Sequence, residues 1–334
     1  MTDKWLKKFK KDSVVQKAYK FAKEAHEGTK RKSGMPYIEH PLSVAKTIDK
    51  WEFDNATTAA ALLHDVVEDT EHTVDDVEEE FGEEISFLVD GVTKLKRIKY
   101  DPDKESSDKK QSENMRKLIV ATSQDLRVIF IKLADRLHNI KTLESLDKKR
   151  QKRIAAETID IYATLAYRLG MQKLSGRLED LAFPYLYPEK YKWVVNQTEE
   201  KYEERKKYAK KVKPILRKKL KEEGIKPVKI DARAKRYYSL FQKLQRYDMQ
   251  FDKIYDLVAL RIIVDSIEDC YSALGVIHKN WLPMPGRIKD YIAMPKPNGY
   301  RSLHTTVFCV DDKITEIQIR TQKMHEEAEM GAAA

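Results

Sequence analysis

From Val14 to about Leu186, apolar residues recur at three- and four-residue spacing, the period of a helix with one buried face. "VVQKAYKFAKEAH", "HPLSVAKTIDKW", "ATTAAALLHDVVED", "TVDDVEEEFGEEISFLVDGVTKL", "NMRKLIVATSQDLRVIFIKLADRLHNIKTL" and "KRIAAETIDIYATLAYRLG" all carry it. Pro36 and Pro41 punctuate a loop that runs into a helix. Thr73 followed by Asp76 predicts a capping box, with Asp in place of the usual Glu or Gln. "YDPDKESSDKKQSEN", Tyr100 to Asn114, has almost no apolar residues and reads as a mobile loop.

The pattern then changes twice. Tyr191 to Gly224 is strongly charged, with a thin apolar stripe and an excess of Lys and Arg. That predicts a solvated connecting helix, bent or interrupted at Pro214 and ended by Gly224. Beyond Pro227, "VKID", "DLVALRIIVD", "HTTVFCVDD" and "KITEIQIRT" read as strands, with helical "YYSLFQKLQR" and "CYSALGVIHKNW" between them. The expected layout is a multidomain chain. An all-α domain covers 1–190, a charged helical connector 191–226, and an α+β domain with a mixed sheet 227–334.

Length agrees, since 334 residues suit two domains of roughly 100–200 residues each. A net charge of +10 favours anionic partners, nucleotides or nucleic acid, without choosing between them. Cys270 and Cys309 lie in apolar contexts and read as buried thiols of a reducing compartment. "MTDKWLKKFKKDS" has no signal-peptide core, and no run reaches the roughly 18 apolar residues of a membrane span. The expectation is a cytoplasmic protein with no membrane partner.

The chemistry starts at "ALLHDVVEDT", Ala61 to Thr70. A core-grade run delivers His64 and Asp65 side by side, then Glu68 and Asp69 one turn later. On a continuous helix His64 and Glu68 share one face, and Asp65 and Asp69 the next. Alone, such a pattern is more often a salt-bridged surface. Two further stretches change that. "YIEHP" sets His40 at a helix start, and "IKLADRLHNIKTL" sets Asp135 inside an apolar helix, where an unpaired carboxylate would cost several kcal/mol. Imidazole plus carboxylate suits a divalent metal. His138 reads as a helix-packing histidine. Arg31, Lys32 and Ser33, just before His40, offer cations and a hydroxyl to a phosphorylated substrate. His, His-Asp and a distant Asp in a helical half resemble the HD superfamily of metal phosphohydrolases.

In the β-rich half, "PGRIKDYIAMPKPNGYRSLHTTVF" crowds Arg287, Lys289, Lys296 and Arg301 with Tyr291, Tyr300 and His304. Cations bind phosphates, and an aromatic face stacks on a base. "KITEIQIRT" alternates, so Ile317 and Ile319 point one way and Glu316, Gln318 and Arg320 the other. Asp256 opens another strand, and two acids on two strands can hold Mg²⁺. Lys235, Ser239 and Lys243 recur at four-residue spacing on one helical face, near Arg233. No P-loop or dinucleotide-binding glycine motif occurs.

Together these motifs resemble the catalytic half of the Rel/SpoT-type stringent-response enzymes, bifunctional (p)ppGpp synthetases and hydrolases. The resemblance covers about Val14 to Glu329. It rests on "RKSGMPYIEHP", "LLHDVVEDT", "KLADRLHN", "YRLGMQKLSGRLEDLAFPYLYP", "YDLVALRIIV", "RIKDYIAMPKPNGYRSLHTTV" and "TEIQIRTQKMHEEAE". It implies that His40, His64, Asp65 and Asp135 hold Mn²⁺, and that Glu68 and Asp69 activate water to remove a 3′-pyrophosphate. Arg31 would stack on guanine, with Lys32, Ser33, Asn139 and Thr142 around the nucleotide.

In the second half it implies pyrophosphate transfer from ATP to the 3′-hydroxyl of GDP or GTP. Asp256 and Glu316 would hold Mg²⁺, and Glu316 would also be the candidate base. Arg233 and Arg261 would sandwich adenine, and Lys235, Ser239 and Lys243 would face the ATP phosphates. Lys289, Lys296, Asn298, Tyr300, His304 and Gln318 would hold the acceptor, with Tyr300 on its guanine. "RIKD", Arg287 to Asp290, is the basic version that bifunctional members carry. Thr164 stands where the family commonly has proline, which puts local helix geometry in question. Arg301 replaces a frequent glutamine. The end, "AEMGAAA", stops short of the regulatory region to which the family assigns ribosome and tRNA contacts. Partners would be small nucleotides (ppGpp, pppGpp, ATP, GDP, GTP), not DNA. The alternatives are a hydrolase whose second domain only binds regulatory nucleotides, and a non-enzymatic RNA-binding protein.

Overall fold

The computed structural model describes residues 4–96, 124–251, 254 and 257–331; the 100–114 loop and Asp256 lie outside them. The chain divides into two units, one up to Leu165 and one from Ala166.

The first unit is helical: α1 (Val14–Ala25), α2 (Glu39–Lys50), α3 (Asn55–Leu63), α4 (Val66–Asp69), α5 (Val74–Phe81), α6 (Glu83–Lys96), α7 (Arg127–Lys141) and α8 (Lys148–Glu157). Side chains of polar residues start several of them. Ser13 caps α1, Asp54 accepts from Thr57 N at 2.7 Å at the start of α3, and Thr73 with Asp76 forms the capping box of α5. α3 is the centre of the unit. Residues Thr57 to Leu63 are buried, and Ala59, Ala60 and Ala61 let α1 and α2 approach it closely. α2 and α6 also pack on α7, whose Ile129, Phe130, Ile131, Leu133 and Ala134 are core residues.

Two local features depart from a plain helix. The helix expected to run through "ALLHDVVED" breaks, with α3 ending at Leu63 and α4 starting at Val66. Asp65 sits at φ −101°, ψ −6° between them. The phase is nearly kept, because Asp69 N still donates to Asp65 O at 2.9 Å. After α8 comes a π-helical turn, Thr158–Ala163, and the Thr164 hydroxyl donates to Ile159 O at 3.4 Å. The altered geometry expected around Thr164 is thus a wider turn just before it.

In the second unit, a five-stranded mixed sheet has the order β1 (Lys229–Ala234), β2 (Val258–Val264), β5 (Ile314–Thr321), β4 (Leu303–Phe308), β3 (Lys289–Asp290). β2 and β5 are parallel and the other pairs antiparallel. Helices α9 (Gln172–Leu186), α10 (Pro188–Glu222), α11 (Tyr237–Arg246), α12 (Ile267–Asn280) and α13 (Gln322–Met330) surround it. The four strands read from alternation are present, as are both helices between them. β3 has only two residues, too few to leave a pattern.

The division at 165/166 falls earlier than the boundary expected near residue 190. α9 packs on α10, α11 and α13, so it belongs with the sheet. α10 also differs from a solvated connector. Its thin stripe, Val194, Thr198, Tyr202, Ala209, Val212, Leu216 and Leu220, is buried, and the helix lies on β1, β2, α11 and α12. The helix continues through Pro214. Gly224, at φ +80°, ends it: Ile225 N bonds Leu220 O at 2.9 Å and Gly224 N bonds Lys221 O at 3.1 Å. Those two bonds satisfy the last carbonyls, and the left-handed position favours glycine. Cys270 and Cys309 are buried free thiols.

Candidate active sites

In the helical unit the α3–α4 break, the start of α2 and the middle of α7 meet. His40 Nε2 lies 3.3 Å from Asp65 Oδ2 and 3.2 Å from Asp135 Oδ1, and His64 Nε2 lies 3.4 Å from Asp65 Oδ1. Ligand atoms of His40, His64 and Asp65 all fall within 4.8 Å of one another, and the three residues are buried.

The hydrogen bonds set the tautomers. His64 Nδ1 donates to Ala61 O at 2.8 Å, which leaves the neutral ring with its lone pair on Nε2. That Nε2 is buried and makes no hydrogen bond. Arg31 Nη1 donates to His138 Nδ1 at 3.1 Å, so His138 Nδ1 is an acceptor. His40 Nδ1, 2.8 Å from the same atom, must then be the donor. The Nε2 of His40 is thereby turned to the carboxylates. Two imidazole nitrogens and the Asp65 carboxylate around one point, one nitrogen without a partner, fit a divalent cation; Asp135, expected as a fourth ligand, reaches His40 but lies outside this close group.

Electrostatics agree. Burial lowers the His64 pKa and favours the neutral, ligating ring. Burial alone would also lower that of His40, but Asp135 and Asp65 outweigh it, and a proton stands where a cation would. Asp65 and Asp135 are held well below the carboxylate range: burial opposes this, but His64 and His40 overcome it for Asp65, and Lys132 and His40 for Asp135. Burial, then His40 and Arg31, push His138 down to about 4, so it stays neutral.

A cavity of about 620 Å³ opens beside this cluster. Arg31, Lys32, Ser33, His40, Asp65, Asp69, Asp135, Asn139 and Thr142 line it, all named from the sequence. Arg31 Nη2 donates to Asn139 Oδ1 at 2.7 Å. His64 lies beneath, fully buried, and Glu68, half-buried, is not on the wall.

Sequence reasoning missed Tyr37, Lys132, Arg136, Arg150 and Arg153 on the same wall. Lys132, itself buried, bonds Asp135 Oδ2 at 2.6 Å. Its signal was there: a lysine three residues before an aspartate inside an apolar helix needs a partner as much as the aspartate does. Arg136 lies 4.1 Å from the Tyr162 ring, on the π-helical turn, and 3.0 Å from Glu157.

In the second unit, a cavity of about 760 Å³ lies over the polar face of the sheet. Arg233, Lys235, Ser239, Lys243, Lys289, Lys296, Tyr300, His304, Glu316 and Gln318 line it, together with Arg246 and Arg287. Register explains the convergence. Lys289 pairs with His304, His304 with Gln318, Gln318 with Arg261, and Arg261 with Asp231, a single row across the sheet. Glu316 Oε1 accepts from Gln318 Nε2 at 2.8 Å and lies 3.4 Å from His304 Nδ1.

Four residues depart from the sequence picture. Lys235 precedes α11 and so does not share a helical face with Ser239 and Lys243, although all three line the cavity. Arg261 is off this wall, in an adjoining cavity of about 330 Å³ with Arg233, Arg320 and Glu329, and forms a double hydrogen bond to Asp231, each arm 3.0 Å. Asn298 shapes the turn before Tyr300, accepting from Tyr300 N at 3.3 Å, rather than lining the cavity. Tyr300 is only 5% exposed, and Lys296 Nζ sits 5.0 Å from its ring centre, so a stacked base would have to displace the lysine. Burial, with Lys289 nearby, lowers the Lys296 pKa.

Comparison with known proteins decides the family. Residues 18–172 match the HD domain, and residues 232–334 match the region found in RelA/SpoT proteins. The chain is 48% identical over 321 residues to the guanosine-3′,5′-bis(diphosphate) 3′-pyrophosphohydrolase of Aquifex aeolicus (strain VF5), covering 96% of this chain and 45% of that one. It belongs to the Rel/SpoT family. It is also 47% identical over 320 residues to the GTP pyrophosphokinase of Streptomyces coelicolor, covering 96% of this chain and 37% of that one. The chain thus spans less than half the length of these Rel/SpoT relatives. Among solved structures, small alarmone synthetase 1 from Bacillus subtilis, bound to its product pppGpp, matches 37% of this chain and 72% of its own at 25% identity, with a TM-score of 0.30. Among the described residues, no helix is long and apolar enough to cross a membrane.

Proposed function

We propose that the chain carries two opposed activities: hydrolysis of the 3′-pyrophosphate of (p)ppGpp in the helical unit, and transfer of pyrophosphate from ATP to the 3′-hydroxyl of GDP or GTP in the sheet unit. The observation that carries it is the orphaned His64 Nε2, facing Asp65 beside a basic cavity large enough for a nucleotide. The relatives named for each reaction support the pairing.

His40, His64, Asp65 and Asp135 would hold Mn²⁺, which supplies Lewis-acid polarisation of water and phosphate when bound. Arg31, Lys32 and Ser33 bind and orient the anionic nucleotide, with Asn139 and Thr142 beside it. Asp69, and Glu68 behind it, take up the proton of the attacking water.

In the second site, Lys235, just before α11, and Ser239 and Lys243 on it face the ATP phosphates, and Arg233 lies against the adenine, where Arg261 would join it only on release from Asp231. Lys289, Lys296, Tyr300, His304 and Gln318 place the acceptor, with Asn298 setting the turn that carries Tyr300. Glu316 draws the proton from its 3′-hydroxyl, and Asp256 and Glu316 would hold Mg²⁺. The hydrolase-only reading leaves a carboxylate among so many cations without a task. Incubation with ATP, GDP and Mg²⁺ tests this: AMP and a 3′-pyrophosphorylated product are expected, and the absence of both would refute the synthetase half.

A further inference from the structure

We propose that Tyr37 is a positioning residue for Asp69, and so sets the rate of the hydrolytic step without binding substrate. The proposal rests on the reading above, in which Asp65 is a metal ligand and Asp69 handles the proton of water.

Five contacts make Tyr37 a hub. Its hydroxyl lies 2.9 Å from Asp65 Oδ2 and in close contact with Asp69 Oδ2. Its ring stacks on buried His26, with centres 4.4 Å apart and planes 24° apart. The Arg31 guanidinium lies 5.8 Å from the ring on the cavity side. Its backbone amide bonds Thr29 O at 3.0 Å, which anchors the basic loop. The ring therefore has little freedom, and the hydroxyl points where two carboxylates meet.

A phenol has one proton and cannot satisfy both acids at once. Asp65 already has His40 and His64 beside it, and its oxygens would turn to a cation. Asp69 is exposed, and its carboxylate accepts from the Tyr37 hydroxyl. The proton then serves Asp69. Donation to Oδ2 fixes the carboxylate plane and leaves Oδ1 as the oxygen that can accept a proton from water. Without the hydroxyl, Asp69 would sample several rotamers in solvent.

The test is a double-mutant cycle of Tyr37→Phe and Asp69→Asn, read by hydrolysis kinetics and by Mn²⁺ titration calorimetry. The Phe variant keeps the ring stack on His26, and synthetase activity of the same preparation reports intact folding. Expected for Y37F is a fall in kcat of roughly 10- to 100-fold, the scale at which residues supporting a ligand or base act. KM should stay within about twofold and Mn²⁺ affinity within about threefold, since the substrate and metal contacts remain. In the D69N background the same change should add less than about twofold, because the partner is already gone. An equal loss in both backgrounds would overturn the proposal, as would full recovery of Y37F at saturating Mn²⁺, which would assign Tyr37 to Asp65 instead. An unchanged rate in D69N alone would sink the assignment of Asp69 itself, and the proposal with it.

Discussion

At the residue scale, two side chains should separate the activities. Asp65 contacts His40 and His64, the proposed metal ligands, so Asp65→Ala should abolish metal binding and hydrolysis while ATP-dependent synthesis continues. Glu316→Ala should do the reverse, as read by AMP formation. A pH effect belongs to Glu179. Burial, with Asp180 beside it, raises its pKa from 4.5 to about 7, against the pull of Arg236. The folded state thus prefers the neutral acid. The stability this contributes is complete below about pH 4.5 and is lost as pH rises to about 7. Glu179→Gln should therefore raise stability by about 1–2 kcal/mol at pH 8 and leave it unchanged at pH 4.5, in urea titrations at the two pH values. Single residues were legible where type and setting conflict, as with Asp135 in an apolar helix. The Arg31–His138–His40 relay was not, because His138 lies about a hundred residues from the other two and nothing local marks the pairing.

At the element scale, helix α11 carries Ser239 and Lys243 into the cavity of the second unit, yet its own first residues offer no side-chain cap. Asp180, on α9, does so instead, accepting from Tyr238 N at 3.0 Å. Asp180→Ala should cost about 0.5–2 kcal/mol of stability and raise the KM for ATP, with hydrolysis untouched. Periodicity revealed most helices and the longer strands, because each buries a face that its spacing must respect. It could not show that α10 lies on a sheet, since a thin apolar stripe looks alike on a connector and on an amphipathic core helix. Nor could it show the break at His64–Asp65, where tertiary packing of buried α3 against α1 and α2 overrides a continuous helical pattern.

At the scale of the whole molecule, the chain sets two basic cavities in separate units, one built by helix packing and one by strand register. Hydrolysis and synthesis running together would form a futile cycle, so the two should be antagonistically coupled. An ATP analogue at the second site should weaken nucleotide binding at the first; equal affinity with and without it would refute the coupling. The measurement that most directly tests the account is metal analysis of the purified protein, paired with a ppGpp hydrolysis assay on wild type and Asp65→Ala. The account predicts about one Mn²⁺ per wild-type chain, with GDP and pyrophosphate as products, and loss of both metal and hydrolysis in the variant. Metal-independent hydrolysis, or a folded Asp65→Ala chain that still binds Mn²⁺ and cleaves ppGpp at the wild-type rate, would contradict it.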